Sequence, residues 1–149
     1  MPAAGAIAPS EDGLDQPFWD GLAAGDLKIQ KCVSCGAWVW APQWRCPYCG
    51  GWEMRWDAVQ PEGVIYSWTR TWHPFAPELA SVVPYVVALV ELPQAGGARL
   101  MGTIVGPSDQ IRIGALVSGE IQPPNDLTSG LAVMRWRLAN EGADQRRVS

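Results

Sequence analysis

Two Cys-x-x-Cys pairs, Cys32-Val33-Ser34-Cys35 and Cys46-Pro47-Tyr48-Cys49, stand ten residues apart. Two residues between thiols let one tight turn present both sulfurs to a single ion. A second such turn completes a tetrahedron of sulfur ligands. Gly36 and Gly50 follow the second cysteine of each pair. A turn that tight calls for positive φ or close backbone approach, which glycine supplies at little cost. Four thiolates close the coordination sphere and leave no position for a substrate, so the spacing predicts structural zinc in a ribbon fold.

Two other uses of four cysteines stay open at this point. Iron in a tetrathiolate would carry electrons, as in rubredoxins, whose similar knuckles flank a much longer insert. Two disulfides would need an oxidising compartment. The N-terminus, Met1 to Gly13, has neither a basic stretch nor an apolar one, which predicts no signal peptide. No apolar run approaches the roughly 20 residues of a membrane span. The expected location is therefore the cytoplasm, where thiols stay reduced and bind metal.

The chain of 149 residues suits one domain or two small ones, and 48% hydrophobic residues can build a core. Formal net charge is −4 with the thiols neutral. Zinc on four thiolates adds about −2 more. Lys28 and Lys31 are the only lysines. Such a chain is poorly equipped to neutralise phosphates, which argues against nucleic-acid binding. Nine tryptophans are an excess for this length. Most belong in a small core, but at least two or three are expected to face a partner, because Trp combines a large rigid area with one donor.

Residues 1–13 lack periodicity and predict a flexible tail. Residues 14–31 form an N-terminal helical segment. Asp15 is the cap candidate, Pro17 the early proline and Gly25 the stop; Phe18, Trp19, Leu22 and Ala23 make the apolar stripe. Residues 32–59 are the ribbon, entered by a strand over Leu27–Lys31 and left through alternating Met54, Trp56 and Ala58. Residues 60–138 read as five strands: Gly63–Trp72, Tyr85–Leu92, Leu100–Val105, Ala115–Ile121 and Leu131–Arg137. The near-continuous apolar run Tyr85–Leu92 predicts burial on both faces. Gly96-Gly97 marks a hairpin, and Gly114 and Gly119 mark bends or bulges. Five short strands with Gly/Pro turns favour a closed OB-fold barrel, giving a mainly β protein. Residues 139–149 are polar and predict a second flexible tail.

No catalytic set is visible. His73 is the single histidine, the cysteines are committed to metal, and no nucleophile elbow or phosphate loop occurs. Glu91, Glu120 and Asp57 read as solvated strand residues. The long connection His73–Val83 carries Phe75 and Leu79 among prolines, which suits either an ordinary loop folded over the barrel end or a docking or lid segment.

In order, the Pro17-Phe-Trp-Asp-Gly-Leu22 opening, the knuckles with Cys-Pro-Tyr-Cys-Gly, Gly63-Val-Ile-Tyr-Ser-Trp68, Pro84-Tyr-Val-Val-Ala-Leu-Val-Glu-Leu92 and Arg112-Ile-Gly114 resemble a family that joins a rubredoxin-like zinc ribbon to an acyl-CoA-associated OB fold. The resemblance spans Pro17 to Arg137. It implies an accessory, non-catalytic subunit in a hetero-oligomer with a thiolase-superfamily aldolase or acyltransferase, in lipid or steroid side-chain catabolism. A MaoC-like hydratase is a further partner class. Acyl-CoA would sit at a shared site. The four cysteines carry over as the zinc ligands. Tyr66, Trp68, Trp72, His73 and Phe75 are candidates for the acyl-CoA or partner side by placement. The rival function is an OB-fold nucleic-acid binder with aromatic stacking platforms. The Trp-rich ribbon (Trp38, Trp40, Trp44, Trp52, Trp56) departs from the family pattern.

Overall fold

The computed structural model describes residues 8–139. One helix, α1 (Gln16–Ala23), precedes eight strands: β1 (Leu27–Cys32), β2 (Trp38–Val39), β3 (Met54–Val59), β4 (Glu62–Thr71), β5 (Tyr85–Leu92), β6 (Ala98–Ile104), β7 (Leu116–Gln122) and β8 (Val133–Leu138). The first three form an antiparallel sheet in the order β2-β1-β3, and the rest close a barrel in the order β4-β5-β6-β8-β7. Among the described residues only β6 and β8 pair in parallel. Five strands closed in this order are the OB barrel that the strand count predicts.

Helix α1 ends as expected but begins differently. Gly25 adopts φ 92°, and the N–H groups of Gly25 and Asp26 donate to Leu22 O and Gly21 O, a left-handed stop that glycine makes cheap. Asp15 precedes the helix but makes no cap bond. Its carboxylate instead accepts from the backbone N–H and hydroxyl of Ser10 and from Trp19 Nε1. These bonds hold its pKa below the usual carboxylate range even though burial, the largest single influence, pushes upward. Of the segment expected to be a loose tail, residues 8–13 are thus tied down: Ser10 to Asp15, and Asp12 to the indole of Trp44 at 3.1 Å. Residues 1–7 of that tail, and 140–149 of the C-terminal one, lie outside the described residues.

Helix, ribbon sheet and barrel share one core. Leu22 from α1 and Leu27 and Ile29 from β1 belong to the same buried cluster as Ile65, Val90, Leu92, Leu100, Val117 and Trp136 of the barrel. Phe18 packs against Trp40 with ring centroids 5.0 Å apart. A Cβ on Gly96 would lie 2.9 Å from the Trp38 ring, so the β5–β6 turn must carry glycine to seat that ring. Gln94 Nε2 donates to both Gln60 O and Glu62 O, fastening the connection between the two sheets. The run in β5 is not buried on both faces. Val86, Ala88, Val90 and Leu92 are buried, and the alternate residues are half-buried, because the strand belongs to a barrel with one interior.

Trp136 fills the barrel and is fully buried. A Cβ on Gly102 would meet its ring at 2.6 Å, and one on Gly119 would meet it at 3.0 Å. The Gly119 expected as a bend therefore clears space for an indole. Its neighbours cannot collapse into a cavity of that size, so Trp136→Ala is expected to cost about 3–5 kcal/mol in denaturant unfolding. A loss below about 1 kcal/mol would show that the barrel does not depend on it.

Candidate metal centre and aromatic surface

The two knuckles are built alike. Cys32 N donates to Ala37 O and Gly36 N to Cys32 O; Cys46 N donates to Gly51 O and Gly50 N to Cys46 O. Gly36 and Gly50 take φ 74° and 76°, the left-handed turn that their position implied. Cys32 lies at the end of β1, where Met54 of β3 pairs with it. Strand β2, absent from the sequence reading, pairs Lys31 with Trp38 behind the first knuckle. Two residues long, it is defined by its partner rather than by any pattern of its own.

The four sulfurs lie within 4.8 Å of one another. Cys32 Sγ and Cys49 Sγ are 3.6 Å apart, and Cys35 Sγ and Cys46 Sγ 3.7 Å. A tetrahedral zinc with bonds of about 2.3 Å sets its sulfurs about 3.8 Å apart, whereas a disulfide needs about 2.05 Å. All four are free thiols. The donor set fits one zinc ion and excludes the disulfide alternative.

Backbone donors prepare the cluster for charge. The Cys35 N–H is the main influence that brings the Cys32 thiol down from 9.0 to about 6. The Cys49 N–H lowers Cys46 in the same way. Cys35 is pushed up to about 12, since burial and its three sulfur neighbours outweigh the Ala37 N–H that favours its thiolate. Arg45 closes the second knuckle, donating from Nε to Gly50 O at 2.8 Å while lying over the Trp52 ring.

Beside the ribbon is a shallow depression of about 200 Å³, lined in part by Leu14, Pro17, Trp44, Trp52, Met54 and Trp56. Gln30, buried on β1, fixes its floor by two bonds to the backbone of Gln43, at 2.8 and 2.9 Å. Three of the nine tryptophans are largely exposed: Trp44, Trp52 and Trp72.

The aromatic candidates of β4 divide into two groups. Tyr66, at a bulge between Ile65 and Ser67, lies under the Arg99 guanidinium at 3.7 Å. Trp68 is half-buried against the core, with Arg70 over its ring. Beyond the strand, Trp72 and Phe75 are 70% and 76% exposed. His73 meets Phe75 edge-on at 5.0 Å and, among the described residues, has no hydrogen bond or ion pair. Nothing here joins His73 to an acid or a nucleophile.

Fold and metal centre together define a zinc-ribbon OB-fold protein. The family models agree: residues 19–55 match the ChsH2 rubredoxin-like zinc ribbon domain, and residues 56–122 match the ChsH2 C-terminal OB-fold domain. The chain belongs to this family, and its cofactor is structural zinc. A probable enoyl-CoA hydratase alpha subunit of Thermomonospora curvata is 39% identical over 104 residues, covering 67% of this chain. The chain spans only 31% of that relative's length. A chain of the "Ltp2-ChsH2(DUF35) aldolase" superposes with TM-score 0.77 at 29% identity, covering 89% of this chain and all of the other. A DUF35-family protein of unknown function from Sulfolobus solfataricus shares the fold at 21% identity, with TM-score 0.56 over 83% of this chain and 84% of that one. Among the described residues, no helix is long and apolar enough to cross a membrane.

Replacing Cys46 by Ser should reduce bound zinc from about one ion per chain to almost none and melt the ribbon, since metal affinity here is folding free energy. Metal analysis beside a thermal melt tests this, and an unchanged metal content and midpoint would refute it. The pH dependence follows from the ligand form: zinc binds thiolates, and Cys32, brought down to about 6, gives up its proton readily, whereas Cys35, pushed up to about 12, gives it up only to the metal. Zinc affinity should therefore weaken as pH falls, as a chelator competition would measure.

Proposed function

We propose that this chain is an accessory, non-catalytic subunit that scaffolds a thiolase-superfamily enzyme acting on CoA thioesters and helps shape its acyl-CoA channel. The partner reaction on this reading is an aldol cleavage or an acyl transfer, with steroid side-chain catabolism as the candidate setting. The observation that carries it is the match, along 89% of this chain and the whole of the other, to a chain of an aldolase assembly. Two further features support it. No described residues assemble a nucleophile, a base and an orienting group, and three exposed tryptophans and an exposed phenylalanine suit a subunit completed by association.

On this reading Tyr66, Trp68, Trp72, His73 and Phe75 supply the acyl-CoA or partner side. A MaoC-like hydratase is a second partner class, favoured by the likeness to the probable enoyl-CoA hydratase alpha subunit of Thermomonospora curvata. The nucleic-acid rival gains little from the barrel surface. Arg99 and Arg137 are engaged by Glu91 and Glu120, at 2.9 and 3.2 Å, which leaves fewer cations for phosphates.

The test is to purify the chain with and without a thiolase-like protein of its source organism. Comigration in near-equal amounts, with acyl-CoA turnover in the mixture only, is the expected result. Trp72→Ala with Phe75→Ala should weaken the complex about tenfold or more. Turnover by the chain alone would refute the non-catalytic part, and failure to comigrate would refute the scaffold.

A further inference from the structure

Among the described residues, the outer face of strands β5, β6, β8 and β7 holds one cation whose charge is not answered. Arg135 of β8 is half-buried, and burial disfavours its charged form. Its Nε donates to Gln122 Oε1 at 2.6 Å, and its Nη1 donates to Thr103 Oγ1 at 2.9 Å. Both acceptors are neutral. Glu120 stands directly opposite Arg135 in the β7–β8 register, yet its carboxylate goes to Arg137, at 3.2 and 3.4 Å. Among the described residues Arg135 has no ion pair.

The remaining valences all point to one ligand chemistry. The Thr103 and Gln122 oxygens are engaged by the guanidinium, and what those side chains still offer is a hydroxyl proton and an amide NH₂. Arg135 adds the N–H groups of Nη2 and the second of Nη1, which have no acceptor among the described residues. The cluster is therefore rich in donors, held in a fixed fork, and suited to a bidentate carboxylate. Beside it runs an apolar strip. Val87 pairs with Thr103 and Leu89 with Met101, and Met101 is 75% exposed. Arg and Met next to half-buried aliphatics have the composition of an interface centre. A small ligand would want a concavity, and no residue of these four strands lines the depression described at the ribbon.

We infer that this barrel face is a protein-docking surface on which Arg135, positioned by Gln122 and Thr103, receives an Asp or Glu side chain of the thiolase-like partner. This rests on the subunit reading above. The carboxylate meets a guanidinium that is already oriented and partly desolvated, so the pair forms without first stripping a solvated, mobile arginine.

Two variants test it, titrated by calorimetry against the purified thiolase-like protein. Arg135→Met removes the charge while keeping apolar bulk. Gln122→Glu leaves Arg135 in place but supplies an internal carboxylate to neutralise it, and it should fold at least as well as the wild type. Each is expected to raise Kd at least tenfold. Binding within about twofold of wild type by a folded Gln122→Glu chain would overturn the docking role while leaving the subunit reading intact. A wild-type chain that does not bind overturns that reading, and this inference with it. Two other occupants are also separable. If sedimentation shows a homodimer that both variants dissolve, the face belongs to a second copy and the inference is wrong. It is equally wrong if inorganic phosphate raises the melting temperature of the wild type but not of Arg135→Met, while both variants bind the partner normally.

Discussion

The ribbon depends on four sulfurs brought within 4.8 Å, because it has almost nothing else to bury. Its own small cluster consists of Cys32, Val39 and Cys46, with Met54 packed against it. One valine and one methionine cannot offset the conformational entropy of ordering two turns and the loop between them. A metal held by thiolates can, since its binding is also the folding of the ribbon. The N–H groups aimed at Cys32 and Cys46 favour the ionised sulfurs, so the backbone turn and the metal chemistry support each other.

Ordering the ribbon also serves the barrel. Strand β1 leads into the first knuckle and presents Leu27 and Ile29 to the common core, where helix α1 adds Leu22. Trp38 leans on the glycine of the β5–β6 turn, and Gln94 reaches back to the connection after β3. Inside the barrel, Trp136 is accommodated by two glycines on flanking strands. Metal centre, helix and barrel thus form one packed unit, and the surfaces they expose keep a definite relation to one another.

Those surfaces differ in chemistry. Around the ribbon and at the end of β4 lie exposed aromatic rings. Among the described residues the charges on strands β5 to β8 are mostly matched, with Arg99 on Glu91 and Arg137 on Glu120, and Arg135 is the exception. Partly buried charge without a counter-charge is costly in an isolated chain. It is economical where a second protein supplies the carboxylate, and that agrees with a subunit that completes an assembly.

The metal site was legible because its information is local: two residues between thiols, a glycine after each pair, and a turn that only such spacing allows. Strand β5 was legible between its two prolines for the same reason, and the OB barrel followed from the count and spacing of the strands. What stayed hidden depends on partners distant in the chain. Nothing near Trp38 and Val39 announces a strand, since β2 exists only by pairing with β1. The residues around Asp15 resemble a cap, but Ser10 and Trp19 take its carboxylate. Nothing in Arg135, Arg137 and Glu120 as letters says which arginine the glutamate will choose. Sequence by itself determined the ligands, the turns and the class of fold, through short-range sterics and spacing. Tertiary structure alone decided which tryptophans are buried, which aromatics stand free and which charge is left unanswered, because those outcomes depend on strand register and on competition among side chains far apart in the chain.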